Sequence, residues 1–343
     1  MRILLTADPE LPVPPRLYGG IERIVDLLVR QLGARGHEVG LVAHRGSTAP
    51  AARLYPWPGT RSQRVMDTLR NTGALARAVA DFRPQLVHSF SRLFYLLPLL
   101  PLGVPKVMSY QRRPGRRQVA AGARLGGERL AFTGCSEHLC AIGREAGGRW
   151  HAIPNFVDTD AYPFRPSVPP DAPLVFLSRI EPLKGAHLAI DIARRAGRTL
   201  ILAGNHGETG EEGRYWREAI LPHVDGRAVR YAGPVDDAAK QALLGGALAM
   251  IVPIQWDEPF GIVFAEALAC GTPVIACPRG ALPEIVRDGV EGRLVRDVEE
   301  GVAAVEEVRG LSRHACRERA ERHFSAAVVA GRYEALYREM VSA

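Results

Sequence analysis

Lysine is almost absent from this chain of 343 residues. Lys106, Lys184 and Lys240 are the only three, and arginine supplies the rest of the 44 basic side chains. The formal charge of +7 could suggest a nucleic-acid or membrane partner. The arginine skew instead reflects coding bias in a G+C-rich genome, and the basic residues are dispersed apart from Arg112, Arg113, Arg116 and Arg117. No basic patch interleaved with aromatics occurs, so nucleic acid is discounted as a partner. Cysteine is also scarce. Cys135, Cys140, Cys270, Cys277 and Cys316 are odd in number and form no CxxC pair, which argues against a zinc ribbon or a disulfide framework and for core thiols in a reducing compartment. Long apolar runs are missing as well. Met1 to Leu5 turns polar at Thr6 and Asp8 before signal-peptide length is reached. Leu93 to Val104 is broken by Pro98 and Pro101 and is too short to span a bilayer, so it reads as a buried helix and loop. A cytoplasmic protein is expected, with membrane contact at most peripheral. Internal repeats and low-complexity tracts are absent, and nothing in the sequence defines an oligomeric state.

What is present is an alternation of short apolar strands with amphipathic helices, which predicts parallel sheets with right-handed crossovers. A composition of 47% hydrophobic and 24% charged residues is globular, and the length exceeds one ordinary core. Strands are expected at Arg2 to Thr6, Val39 to Ala43, Leu86 to His88, Lys106 to Tyr110 and Leu130 to Thr133. A helix follows the first loop, with Ile21, Ile24, Val25, Leu28 and Leu32 on one face. Pro154, Pro163, Pro166, Pro169, Pro170 and Pro173 then crowd a segment without periodicity, as in an interdomain linker. The alternation restarts at Leu174, Leu200 to Ala203, Val229 to Tyr231, Ala249 to Val252 and Val274 to Ala276, and after Arg296 the pattern is helical to the end.

The most informative run is Trp256-Asp257-Glu258-Pro259-Phe260-Gly261-Ile262-Val263-Phe264-Ala265-Glu266. It reads as a turn feeding a helix, whose unsatisfied N–H groups from about Gly261 onward would bind phosphate without a metal. Glu258 precedes that start, and Glu266 lies roughly 1.5 turns into the helix. A carboxylate on each side of a phosphate site suits a ligand with sugar, phosphate and sugar in that order, because carboxylates accept hydrogen bonds from vicinal hydroxyls. A nucleotide-sugar has that layout. Arg179 and Lys184 follow the strand beginning at Leu174, where open α/β sheets bind ligands, and would neutralise a diphosphate. Asp158-Thr159-Asp160 spells a DxD motif, but it falls in the proline-rich segment, so no metal site is assigned. Asp236-Asp237 reads as a helix N-cap region. Gly204-Asn205-His206-Gly207 lacks the spacing of a dinucleotide fingerprint, which argues against a dehydrogenase.

Ser178-Arg179-Ile180 through Lys184-Gly185, Glu258 through Glu266, Gly271-Thr272-Pro273-Val274-Ile275-Ala276 and Gly280-Ala281-Leu282-Pro283-Glu284-Ile285-Val286 resemble the ordered signature of glycosyltransferase family 4. The likeness extends to Gly19-Gly20-Ile21-Glu22, to Leu32 through Val39, and to Ile153-Pro154-Asn155-Phe156-Val157-Asp158, where the family has glycine for Phe156. It therefore covers nearly the whole chain. The resemblance implies an α/β protein of the GT-B fold, two Rossmann-like domains whose parallel sheets face each other across a cleft. Residues 1–155 would form the acceptor-side domain, 156–323 the donor nucleotide-sugar domain, and 324–343 a helix crossing back to the first.

It also implies a retaining glycosyltransferase that moves a sugar from a UDP- or GDP-sugar to a hydroxyl of a carbohydrate or natural-product acceptor, with no cofactor and no metal. Polysaccharide assembly and oligosaccharide-antibiotic biosynthesis both fit. Arg179 and Lys184 would hold the diphosphate, Glu266 the ribose and Glu258 the transferred sugar. The main chain of Phe260, Gly261, Ile262 and Val263 would complete the cradle. Gly19 and Gly20 would approach the diphosphate, and Val235 would meet the base. The family's His-x-His is here His88-Ser89-Phe90, so His88 is the candidate catalytic residue of the first domain. Arg112, Arg113, Arg116, Arg117, Arg124 and Arg129 could meet a phosphorylated acceptor. Two alternatives stand beside this reading, a nucleotide-sugar epimerase of the same two-domain fold and a non-catalytic nucleotide-sugar-binding protein.

Overall fold

The computed structural model describes residues 1–16 and 19–342. It divides the chain into two α/β units. One is Met1–Phe156 together with the last helix, Ala326–Ser342, and the other is Val157–Ser325. In the first unit, strands β1 (Arg2–Thr6), β2 (Glu38–Ala43), β3 (Arg53–Pro56), β4 (Leu86–Ser89), β5 (Lys106–Tyr110), β6 (Leu130–Gly134) and β7 (Arg149–Ala152) form one parallel sheet. Their order is β3-β2-β1-β4-β5-β6-β7. In the second unit, β8 (Leu174–Leu177), β9 (Leu200–Ala203), β10 (Val229–Gly233), β11 (Ala249–Val252), β12 (Val274–Ala276) and β13 (Gly292–Leu294) form another parallel sheet, in the order β10-β9-β8-β11-β12-β13. Each sheet grows outward from its first strand and then reverses to the other side. In open parallel sheets ligands bind at the carboxyl ends where that reversal occurs, here between β1 and β4 and between β8 and β11.

The central strands are buried on both faces and carry continuous apolar runs, as helices on each side of a parallel sheet require. The strands that periodicity misses, β3, β7 and β13, all lie at sheet edges. They pair on one side only and tolerate Arg53, Pro56, Arg149, His151 and Arg293. The proline-rich segment is not a free linker. The units divide at Phe156 and Val157, and the following prolines belong to the second unit. There Phe164 packs edge-on against His314 at 4.7 Å, and Arg313 donates to the Arg165 carbonyl at 2.7 Å.

Lys106 illustrates how this fold uses lysine. Its side chain is fully buried, and Nζ donates to the carbonyls of Leu100 and Leu102, closing the turn that follows the helix Leu93–Leu96. Burial pulls its pKa down to about 8. All five cysteines are buried thiols, and burial pushes Cys270 up to about 11. Among the described residues no helix is long and apolar enough to cross a membrane.

Candidate active site

Three loops meet at the reversal point of the second sheet. The loop after β8 carries Arg179 to Gly185, the loop after β11 carries Pro253 to Gly261, and the loop after β12 leads to Gly280 and Ala281. Main-chain hydrogen bonds join them: Gln255 N–H donates to the Leu183 carbonyl at 2.8 Å, and Ala281 N–H to the Glu258 carbonyl at 2.9 Å. Gly280 adopts φ 60°, and a Cβ there would come within 2.3 Å of the Glu258 carbonyl oxygen. Only glycine therefore lets the third loop lie against the second.

Two similar clusters occupy this framework. Glu258 Oε2 accepts from Lys184 Nζ at 2.5 Å and from Trp256 Nε1 at 3.1 Å, and the ammonium stands 4.9 Å from the Trp256 ring centre. Glu266 Oε1 accepts from Lys240 Nζ and from Tyr162 Oη, both at 2.5 Å, with the ammonium 5.5 Å from the Tyr162 ring centre. In each cluster one carboxylate oxygen takes both donors. Among the described residues the other oxygen, Glu258 Oε1 or Glu266 Oε2, receives no hydrogen bond and is not sealed from solvent. Both glutamates are buried, and an ionised carboxylate withdrawn from water needs a partner charge and further donors. Two of the chain's three lysines supply those charges.

Arg179 and Lys184 are expected to hold the diphosphate, and Glu258 to meet the transferred sugar. Arg179 does reach outward, half-exposed, with Nη2 3.0 Å from Glu181 Oε1. Lys184 is largely buried and paired with Glu258, so two residues expected to meet different parts of the ligand form one ion pair.

Beside that pair begins the helix Ile262–Ala269, with Gly261 at its N-cap in the left-handed region, φ 80°. A Cβ on Gly261 would meet Phe264 Cδ2 at 2.5 Å. Among the described residues no side chain caps this helix start. Ile262 and Val263 are half-buried while Phe264 to Ala269 are buried, so the helix is accessible only at its positive end. The Phe260 side chain turns into the core against Phe324, at 5.7 Å between ring centres, leaving its main chain for any ligand.

Val235 immediately precedes Asp236, whose Oδ1 accepts the Ala239 N–H at 2.8 Å, the N-cap expected there. That cap starts the helix Asp237–Gly246, which presents Lys240 to Glu266. Asp158 precedes a one-turn 3-10 helix, Thr159–Ala161, and Asp160 lies within it. Arg317 donates to the carbonyls of Thr159 and Tyr162, at 3.0 and 2.8 Å, which fixes Tyr162 beneath Glu266. Among the described residues no group of three or more His, Cys, Asp or Glu side chains has a metal-binding arrangement.

In the first unit the structure corrects the reading of His88. Its ring is fully buried between Phe90, at 4.3 Å, and Tyr333, at 5.0 Å. Nδ1 stands 2.5 Å from Tyr337 Oη and Nε2 2.6 Å from Ser109 Oγ. With both nitrogens occupied and burial holding its pKa down to about 3, His88 is a satisfied core group rather than a catalytic one. Arg112, Arg113, Arg116, Arg117, Arg124 and Arg129 are exposed, and Arg116 pairs with Glu145 at 3.1 Å. Gly19 and Gly20 lie where the helix Gly20–Ala34 begins, and a Cβ on Gly19 would come within 2.8 Å of Glu22 Oε2.

Sequence reasoning misses two carboxyls there, Asp8 just past β1 and Glu22 in that helix. Burial pushes Asp8 up to about 6 and raises Glu22, and Asp8 Oδ1 is buried without a hydrogen bond among the described residues. It also misses Tyr162 and Lys240. The signal for Lys240 was available in the composition: a lysine in an arginine-rich chain marks a position where a compact ammonium is needed.

Two doubly wound parallel units, the second carrying an open helix start flanked by buried glutamates, define a protein of the GT-B class. Comparison with known proteins agrees. The model described as "Glycosyl transferases group 1" matches residues 161–323, and "Glycosyltransferase Family 4" matches residues 18–161. Glycogen synthase of Mycobacterium tuberculosis is 30% identical across 90% of this chain and 86% of its own length. Among solved structures, AviGT4, a glycosyltransferase involved in avilamycin A biosynthesis, superposes with a TM-score of 0.75 at 26% identity, covering 99% of this chain and 98% of its own. Sucrose-phosphate synthase from Thermosynechococcus elongatus gives 0.80 at 19% identity, covering 99% of each chain. The chain belongs to glycosyltransferase family 4 and is a glycosyltransferase.

Proposed function

We propose that the protein transfers a sugar, with retention of anomeric configuration and without a metal, from a UDP- or GDP-sugar to a hydroxyl of a carbohydrate or natural-product acceptor. The unit Val157–Ser325 holds the donor and the unit containing Met1–Phe156 holds the acceptor. The observation that carries this reading is the meeting of Lys184 and Glu258 at 2.5 Å beside the open start of the helix Ile262–Ala269. A diphosphate at that helix start gains its N–H groups and the exposed Arg179 guanidinium. Glu258 Oε1 then accepts from the transferred sugar, and Glu266 Oε2 from the ribose.

The chemistry follows from where charge develops. As the bond between the anomeric carbon and the phosphate oxygen breaks, the sugar ring becomes positive and the diphosphate gains negative charge. Arg179, Lys184 and the helix start stabilise the second of these. No carboxylate is nominated as a nucleophile, so attack comes from the face the diphosphate leaves. The acceptor oxygen bonds to the anomeric carbon, and its proton passes to the departing phosphate oxygen. Asp8 and Glu22, at the reversal point of the first sheet, are suited to orient an acceptor by its hydroxyls. Relatives support both ends of the reaction: HepE of Anabaena has been solved with UDP-glucose, at 18% identity, and AviGT4 is involved in avilamycin A biosynthesis.

A thermal-shift screen of UDP, GDP and their sugars tests the donor. A ligand at a thousand times its dissociation constant adds roughly 4 kcal/mol of stability. Absence of any shift across the panel rejects the donor class. NMR of the product tests the stereochemistry, and an inverted anomeric centre rejects front-face attack. A sugar altered without any acceptor would instead identify an epimerase.

A further inference from the structure

We propose that Lys240 is a positioning residue for the nucleotide's ribose, acting through Glu266 rather than by touching the ligand. The inference rests on Glu266 being the acceptor of the ribose hydroxyls. Four observations carry it. Lys240 and Tyr162 both donate to Oε1, so the two strongest local donors are spent on one oxygen and Oε2 is left for a ligand. The ammonium is largely buried and enclosed by Glu266, by Asp237 at 3.2 Å and by the Tyr162 ring. Its helix is anchored by the Asp236 cap at 2.8 Å, so the ammonium is presented from a rigid element. Finally, this chain uses arginine almost everywhere else, and its guanidinium is a planar fork too broad to enter such an enclosure as a point charge.

Physically, a fixed cation on Oε1 offsets the cost of burying the Glu266 carboxylate and prevents its rotation about the terminal bond. Oε2 therefore meets the ligand as a pre-oriented, fully charged acceptor. Hydrogen bonds to a charged group are worth about 1.5–3 kcal/mol, roughly ten- to a hundredfold in affinity. That discrimination between ribose and a sugar lacking a hydroxyl depends on Lys240.

Isothermal titration calorimetry with UDP and GDP, and with their 2′-deoxy and 3′-deoxy counterparts, tests this on the full-length protein. The wild type should prefer the ribonucleotide over at least one deoxy form by about tenfold or more. Lys240→Met should weaken the ribonucleotide by about tenfold, leave that deoxy form nearly unchanged, and shrink the preference to within about threefold. In a Glu266→Gln background, Lys240→Met should have no further effect on the preference, because the coupling runs through that carboxylate. Equal weakening of ribo and deoxy forms, or a loss that persists in the Glu266→Gln background, overturns the proposal. If Lys240→Met does not fold by circular dichroism, Lys240→Gln, which removes the charge but keeps a donor and similar length, is read the same way: an unchanged preference overturns it. A wild type that binds the nucleotides but shows no ribose preference refutes the ribose assignment of Glu266. A wild type that binds none of them refutes the nucleotide-sugar reading itself.

Discussion

Lys184 and Glu258, 74 residues apart in the chain, meet at 2.5 Å where the second sheet reverses its strand order. Neither β8 nor β11 alone makes a site. Parallel pairing of the two strands brings the loops that follow them side by side, and Gly280 lets a third loop lie against the Glu258 main chain. The resulting ion pair is shielded and shared with Trp256, so each partner depends on the other for its counter-charge and position.

Lys184→Met should therefore do two things at once. It removes a cation from the leaving group, lowering kcat/KM by about two to three orders of magnitude. It also leaves the Glu258 carboxylate without its counter-charge, at a cost of about 3 kcal/mol in stability. Steady-state kinetics and urea denaturation measure the two effects, and a variant with full kcat/KM would remove Lys184 from the mechanism.

Glu258→Gln should separate binding from transfer. Without the carboxylate, Lys184 is released toward the diphosphate, so affinity for the nucleoside diphosphate should hold or rise. Transfer should fall by at least about tenfold, because the sugar loses a charged hydrogen-bond acceptor. Calorimetry with the free diphosphate and kinetics with the intact donor give the comparison. Parallel losses in both would mean that Glu258 is only a structural partner of Lys184.

Gly280→Ala places a methyl group 2.3 Å from the Glu258 carbonyl oxygen at a residue with φ 60°. Strain of about 1–3 kcal/mol is expected, and the displaced loop should take Glu258 with it. The melting temperature and kcat should fall together. A variant with normal kcat would show that this loop contact is not what positions Glu258.

Acid stability should be governed by two groups of opposite sign, the buried His88 and the half-buried Asp8. His88 is held at about 3 in the folded state, below its ordinary 6.5, so between those values the unfolded chain binds the proton that the folded chain refuses. Its contribution to stability is complete above 6.5 and is lost as pH falls, at no more than about 1.4 kcal/mol per pH unit. Asp8 is raised to about 6 from its ordinary 3.8, so the folded state takes up that proton first and stability gains as pH falls through 6. Urea unfolding between pH 7 and 4.5 should show Asp8→Asn steepening the acid loss and His88→Asn flattening it. Identical slopes in all three proteins would contradict these environments.

The buried strands were readable because strands covered on both faces must be continuously apolar, as Ile3-Leu4-Leu5 and Ala249 to Val252 are. The edge strands Arg53–Pro56, Arg149–Ala152 and Gly292–Leu294 were not, since one-sided pairing asks little of their side chains. The helix start at Gly261 and both glutamates could be named from their spacing, because a turn, a glycine and a helical pattern are local. The partners of those glutamates could not. Tyr162 and Lys240 reach Glu266 from 104 and 26 residues away. His88 shows the reverse failure, a polar residue at a strand end that looks available until Tyr337, 249 residues later, closes over it.

By itself, then, the sequence determined the alternating parallel architecture, the family and the helix start at Gly261, all of which follow from local periodicity and short-range spacing. Tertiary structure alone decided which charges are paired, which oxygen of each glutamate is left for a ligand, and that His88 is core. Those outcomes depend on burial and on contacts between residues distant in the chain, and an ionisable group's behaviour is set by what removes its water and what replaces it.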